Sequence, residues 1–249
     1  MKHEYAYGLH AVESLIKHKA DTVLELFLLS TRKDKVLLEI QGMAQAQGIA
    51  IQYTDRNRLD RLVDGAPHQG VVARVRPAAV GDESELLALL QNSSRPPLVL
   101  FLDSIQDPHN LGACIRSAEA AGADAVVFPR DKSASLTAVA RKAAAGAVDR
   151  VPLFQVANLA RAIEASKQAG LWMVGAAGEA ENTIYEVDLK GPLGLVLGAE
   201  GSGLRQLIRK QCDHLAAIPM AGAAESLNVS VAAGIFLFEA MRQRRAGSK

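Results

Sequence analysis

In the last quarter of the chain, two glycine-rich polar clusters break apolar segments. The first is Leu197-Gly198-Ala199-Glu200-Gly201-Ser202-Gly203-Leu204. The second is Ile218-Pro219-Met220-Ala221-Gly222, followed by Ser226-Leu227-Asn228-Val229-Ser230-Val231-Ala232. Each follows a strand-like run (193–197 and 214–218) and leads into a helix-like one. Strand, glycine-rich turn, helix is how an open α/β sheet builds a ligand crevice at the carboxyl ends of its strands. Upstream, Leu102-Asp103-Ser104-Ile105-Gln106-Asp107-Pro108-His109-Asn110-Leu111-Gly112-Ala113-Cys114-Ile115-Arg116-Ser117 has the same build. Three polar turns on one sheet predict one site assembled from all three.

The surrounding pattern supports an α/β fold. Residues 1–76 read as a small unit: helix 9–18, strand 23–29, helix 35–47, strand 49–53, short helix 57–63 and strand 70–75. Residues 77–95 read as a linker with a short helix inside it. From Leu98 the pattern restarts over 96–249, and 98–102 is a continuous apolar run, as in a parallel sheet buried on both faces. Strands are expected at 125–128, 151–154 and 171–175, with helices at 110–121, 137–145 and 159–168. The last helix, 227–244, carries Leu227, Val231, Ile235, Phe238 and Met241 on one face and Val229, Ala233, Phe236 and Ala240 on the other. A helix apolar all round is buried. At this position a subunit interface would bury it, so a homodimer is expected.

Bulk numbers exclude more than they identify. The 249 residues are 49% hydrophobic and 22% charged, with a formal net charge of +1. Residues 1–77 carry +2 and residues 78–249 carry −1, so no polycation announces nucleic acid. Cys114 and Cys212 make neither a disulfide scaffold nor a zinc site. His10, His68 and His109 are not spaced as metal ligands, so no metal is expected. The first residues lack an apolar signal core, and the apolar run near the end, cut by Ser230 and Glu239, is too short for a bilayer. A cytoplasmic protein with no membrane partner is expected.

The three blocks together resemble the motifs of the SpoU (TrmH) class of SPOUT RNA 2′-O-methyltransferases. Tyr7-Gly8-Leu9-His10-Ala11-Val12, His68-Gln69-Gly70 and Gly175-Ala176-Ala177-Gly178-Glu179 are similar to the bacterial members that modify 23S ribosomal RNA. The resemblance spans the chain. It implies an α/β methyltransferase domain with a C-terminal trefoil knot, preceded by a small L30e-like RNA-binding domain. Periodicity gives no reason to expect the knot, since knots are nearly absent from folds. The resemblance also implies S-adenosylmethionine as methyl donor and, as product, one guanosine of 23S ribosomal RNA methylated on its ribose 2′-hydroxyl. A transfer RNA substrate and a non-catalytic assembly factor are the alternatives. A dinucleotide oxidoreductase fits poorly, because Gly198, Gly201 and Gly203 give G-x-x-G-x-G after a late strand.

Site residues follow from these motifs. The resemblance carries donor contacts to Gly198, Ile218 and Leu227, with Gly175 and Ala176 as a further wall. Glycine-rich backbone approaches a ligand closely because no Cβ intervenes. The catalytic set implied is Asn110, Arg116, Glu200, Ser226 and Asn228. A sulfonium is already an activated donor, so alignment supplies most of the acceleration. Arg116 is drawn in such mechanisms as the base. Its guanidinium stays charged, which favours a grip on a phosphate or a developing alkoxide. Asn110 fits either a helix N-cap or a substrate-orienting group, and Glu200 is expected to orient Arg116 or the ribose. Ser226 fits a cap of the last helix with Asn228 in its first turn; the resemblance instead points both side chains at substrate. Arg56, Arg58, Arg61, Arg74 and Arg76 are candidate phosphate contacts, and Arg242, Arg244, Arg245 and Lys249 form a basic tail that also suits a helix C-terminus.

Overall fold

The computed structural model describes residues 4–32, 34–76, 80–224 and 226–246. The expected break at Pro77 and the tail residue Lys249 lie outside them.

The N-terminal sheet has the order β1-β4-β2-β3, formed by β1 (Glu4–Tyr7), β2 (Val23–Leu29), β3 (Ile51–Thr54) and β4 (Val71–Val75). Only the β2–β3 pair is parallel. On one face, α1 (Leu9–His18) and α2 (Lys35–Ala46) bury Val12, Ile16, Leu37 and Ile40 against Leu26, Leu28, Val71 and Ala73. On the other, α3 (Arg56–Leu62) covers Phe27 and Val72 with Leu59. Alternate strand residues therefore serve alternate layers, the period of two that pleating imposes. Strand β1 had no expectation attached. At four residues, with Glu4 in front, it falls below the length at which alternation is readable.

The larger sheet is wholly parallel, in the order β10-β8-β9-β5-β6-β7. It comprises β5 (Leu98–Asp103), β6 (Ala125–Pro129), β7 (Leu153–Val156), β8 (Trp172–Ala176), β9 (Leu193–Gly198) and β10 (His214–Ala216). All six residues of β5 are buried, as its continuous apolar run requires. Leu98, Leu100 and Leu102 face α5 (Pro108–Ala120), α6 (Ala138–Ala144) and α9 (Val229–Ala246). Val99 and Phe101 face α4 (Glu83–Gln91), α7 (Leu159–Gln168) and α8 (Gln206–Gln211). The stretch expected to be a linker thus includes α4, whose Leu86 and Leu90 are part of the second core.

Two local expectations change. Helix α5 starts earlier than Asn110: Asp107 caps it by accepting the His109 N–H at 2.9 Å, and Pro108 takes the first position. Helix α9 is not buried all round. Val229, Ala233, Phe236 and Ala240 are core, while Val231 and Phe238 are 51% and 43% exposed. The two apolar faces read from the sequence are real, but only one meets this chain's own sheet.

The N-terminal unit rests on α6. Arg141 pairs with Glu4 at 2.7 Å, Lys142 lies over the Tyr7 ring and donates to Pro67 O, and Arg150 donates to Ser14 Oγ at 2.7 Å. Helices α5 and α6 approach so closely at Gly112 that a Cβ there would lie 2.2 Å from Ala140 O and 2.7 Å from Ala143 Cβ. Alanine for glycine normally favours a helix by up to ~1 kcal/mol. Here overpacking costs ~1–3 kcal/mol and decides the sign. Gly112→Ala should lower the urea midpoint; an unchanged or raised midpoint refutes the close packing.

Candidate functional site

The crevice sits where a parallel sheet should place it, beyond the carboxyl ends of β5, β8, β9 and β10. Three segments line it: the 176–179 turn after β8, the 198–204 turn after β9, and residues 218, 220, 226 and 227 with the first turns of α9, while Asn110 of α5 stands at the mouth. They enclose a cavity of about 540 Å³, within the rough 300–1,000 Å³ range of small-molecule sites. Its apolar wall comes from Leu197, Leu204, Ile218, Met220, Leu227 and Phe236, and its polar rim from Glu179, Glu200, Ser226 and Arg209.

The turn after β9 is built by glycine. Gly203 donates to Ala199 O at 2.9 Å, so the chain folds back on itself. A Cβ on Gly198 would fall 2.1 Å from the carbonyl of Gly203, and Gly201 and Gly203 take φ of 76° and 64°, the left-handed region. No other residue type closes this loop without displacing backbone.

At its mouth, one amide joins α5, the turn after β9 and the start of α9. Asn228 Nδ2 donates to Asn110 Oδ1 at 3.0 Å and also to Glu200 Oε1. Val229 N–H adds a longer bond to the same Glu200 oxygen, at 3.4 Å. Asn228 Oδ1 accepts from the Ser230 N–H at 2.9 Å, so Asn228, not Ser226, caps α9. Both hydrogens of the Asn228 amide are therefore spent within the protein. Glu200 Oε2 makes no hydrogen bond among the described residues.

The expected site residues separate into three groups. Gly198, Ala176, Ile218, Leu227, Ser226 and Glu200 line the cavity. Asn110 and Asn228 stand behind Glu200 at its mouth. Gly175 is behind the wall rather than in it, because a Cβ there would meet Cys212 Sγ at 2.7 Å and Leu204 Cδ1 at 2.8 Å. Arg116 is exposed on α5 and makes no hydrogen bond or ion pair among the described residues. It lies outside the cavity lining, and Glu200 does not orient it. The sequence reading missed Arg209 and Phe236 as lining residues; Phe236 looked like core because it is both. Among the candidate phosphate contacts, Arg56, Arg58, Arg61 and Arg76 are exposed, whereas Arg74 pairs with Glu25 at 3.1 Å. In the basic tail, Arg242 pairs with Glu239 and Arg244 donates to carbonyls of Pro96, Pro97, Leu189 and Gly191. Among the described residues, no group of three or more His, Cys, Asp or Glu is arranged to hold a metal.

A parallel α/β sheet with a glycine-walled crevice and a polar cluster at its mouth defines a small-molecule-dependent enzyme of the doubly wound type. Comparison with known proteins fixes the class. Residues 97–238 match the SpoU rRNA Methylase family, and residues 5–80 match the family RNA 2′-O ribose methyltransferase substrate binding. The chain belongs to the SpoU rRNA methylase family. It is 52% identical over 97% of its length to the 23S rRNA (guanosine-2′-O-)-methyltransferase RlmB of Pseudomonas aeruginosa, 97% of which is covered. It is 49% identical to the Escherichia coli protein of that name, over 97% of this chain and 99% of that one. The crystal structure of the SpoU methyltransferase AviRb from Streptomyces viridochromogenes, in complex with AdoMet, superposes with a TM-score of 0.80 at 25% identity, covering 98% of this chain and 91% of that one.

Cysteine chemistry does not contribute. Burial, then the Glu200 carboxylate, pushes the Cys114 thiol up to about 12, and burial likewise raises Cys212 to about 12. Neither is a thiolate near neutrality. Iodoacetamide at pH 8 should leave the fully buried Cys114 unlabelled in the native protein and label it in urea, read by peptide mass. Fast native labelling of Cys114 would contradict its burial.

Proposed function

We propose that this chain transfers a methyl group from S-adenosylmethionine to the ribose 2′-hydroxyl of a guanosine in 23S ribosomal RNA. Relatives of that name at about half identity over nearly the whole chain support the reaction and the substrate. The observation that carries it is the Asn110–Asn228–Glu200 network at the mouth of the glycine-walled cavity. A non-catalytic binding factor has no use for such a cluster. The names of the relatives, matched over nearly the whole chain, favour 23S ribosomal RNA over transfer RNA.

The cavity fits the donor. Leu197, Ile218, Leu227 and Phe236 suit an adenine ring, and the backbone around Gly198 and Ala176 offers polar groups at close range. When bound, the sulfonium supplies an electrophilic methyl carbon. The chain's residues do the rest. Asn228 holds Glu200 Oε1 so that Oε2 is left to accept the hydrogen bond of the incoming 2′-hydroxyl and draw off its proton. Asn110 fixes the other side of the Asn228 amide. Arg116, charged at any physiological pH and unpaired within the described residues, supplies the cation for a flanking phosphate or the developing alkoxide. Ser226, on the cavity rim with no hydrogen bond among the described residues, is placed to meet the ribose. The exposed arginines of α3 (Arg56, Arg58 and Arg61) provide phosphate contacts remote from the chemistry.

A second copy of the chain covers α9. Its Val231 and Phe238 are apolar and open, and exposed apolar side chains of this kind mark interaction surfaces. Light scattering should report a dimer in dilute solution; a monomer refutes this assembly. No helix among the described residues is long and apolar enough to cross a membrane.

Mass-spectrometric mapping of ribose methylation in ribosomal RNA, from cells with and without this protein, tests the function. One 2′-O-methylguanosine in 23S RNA should disappear, and an unchanged map overturns the assignment. Arg116→Ala should lower turnover about 100-fold or more, in the range of a lost electrostatic contact, with donor affinity unchanged by calorimetry. Retained turnover removes Arg116 from the mechanism.

A further inference from the structure

Strand β5 ends on a buried carboxylate that contacts neither the cavity nor the network at its mouth. Asp103 is fully buried, and its register partner on β9 is Gly198, the last strand residue before the donor turn. Its Oδ2 accepts the backbone N–H of Arg205 at 3.0 Å. Its Oδ1 accepts Arg205 Nε at 2.7 Å and faces Nη2 at 2.6 Å. Ser104 Oγ adds a bond at 3.1 Å, from a residue whose φ is 63°. Arg205 is the residue at which the 199–205 turn leaves the crevice and enters α8.

Strand pairing with β5 therefore fixes the entry of the turn, and the Asp103 carboxylate fixes its exit. Between these points the backbone closes through Gly203 N–H to Ala199 O, and Glu200 projects from the closed loop. The same Asp103 opens the segment that runs into α5 and Asn110. Arg205 is not in the donor cavity. Its half-exposed side chain lines a separate crevice of about 310 Å³ with Lys132, Asn158 and Leu207.

We infer that Asp103 is a positioning residue for the donor site, acting through Arg205 to hold the 199–205 turn in its binding shape. The inference rests on the donor reading above. A buried carboxylate with three contacts to one partner residue pins a loop in one conformation, because any other arrangement leaves the charge unpaired. Removing the grip should free the turn and weaken donor binding without touching the surface that holds RNA.

The test is calorimetric titration of S-adenosylmethionine into the full-length protein, with RNA affinity and thermal melting measured in parallel. Asp103→Asn and Arg205→Ala should each raise the donor Kd at least tenfold and leave the Kd for a 23S RNA fragment within about twofold. The double variant should bind no worse than the poorer single one, since both break one interaction. Arg205→Lys should recover part of the loss. If Asp103→Asn does not fold, Arg205→Ala, at a half-exposed position, carries the test. Folded variants that bind donor as the wild type does overturn the inference, and so does a loss confined to RNA affinity. Wild-type protein that binds no donor defeats the functional reading itself.

Discussion

One side-chain amide holds the candidate site together. Asn228 donates to Asn110, 118 positions earlier, and to Glu200, 28 positions earlier. Each partner arrives on a different strand–turn–helix unit, and that amide joins all three at the mouth. Its carbonyl is committed as well, to the start of α9. A residue whose every hydrogen-bonding group is engaged has one orientation. That orientation decides which Glu200 oxygen faces outward.

Rigidity on one side of the crevice contrasts with freedom on the other. The donor wall is strand ends and a glycine loop closed by backbone hydrogen bonds, with little left to adjust. Arg116, by contrast, extends from the surface of α5 without a partner among the described residues. A reaction that needs in-line alignment of oxygen, methyl carbon and sulfur gains most from a fixed donor. The polymer must be captured from solution and then registered, and long exposed cations suit capture. Helix α3 places its arginines on the other sheet, which rests on α6 through Glu4, Tyr7 and Pro67. On the proposed function, capture and chemistry fall to separate units of one chain.

Legibility in the sequence followed the range of the interaction. Strand β5 and helix α7 were readable because composition and period over six to ten residues determine them. The three polar turns were readable as one site because parallel sheets put such turns on the same edge. Strand β1 escaped because Glu4-Tyr5-Ala6-Tyr7 is too short to show alternation, and it pairs with β4 some 70 residues away. The start of α5 is set by Asp107-Pro108, a local capping signal that lies inside the longer motif running through Asn110. Helix α9 reads as apolar on two faces, and nothing in a single sequence says which face its own sheet covers. At Gly175, close packing against Cys212 and Leu204 leaves no room for a Cβ, a tertiary cause that no local pattern displays.

Asp103 marks the limit of such reading. In sequence it is an unremarked acid at the end of an apolar run, 102 positions from the arginine that neutralises it. Burying a carboxylate costs several kcal/mol before its partner is counted, and an apolar residue would fill the end of β5 more cheaply. An apolar side chain, though, could not accept both a backbone N–H and a guanidinium from the residue where the donor turn ends. The carboxylate is therefore poorly explained as a source of stability and well explained as a geometric constraint. It sits where the strand that begins the substrate-facing helix and the loop that shapes the donor cavity must agree on one arrangement.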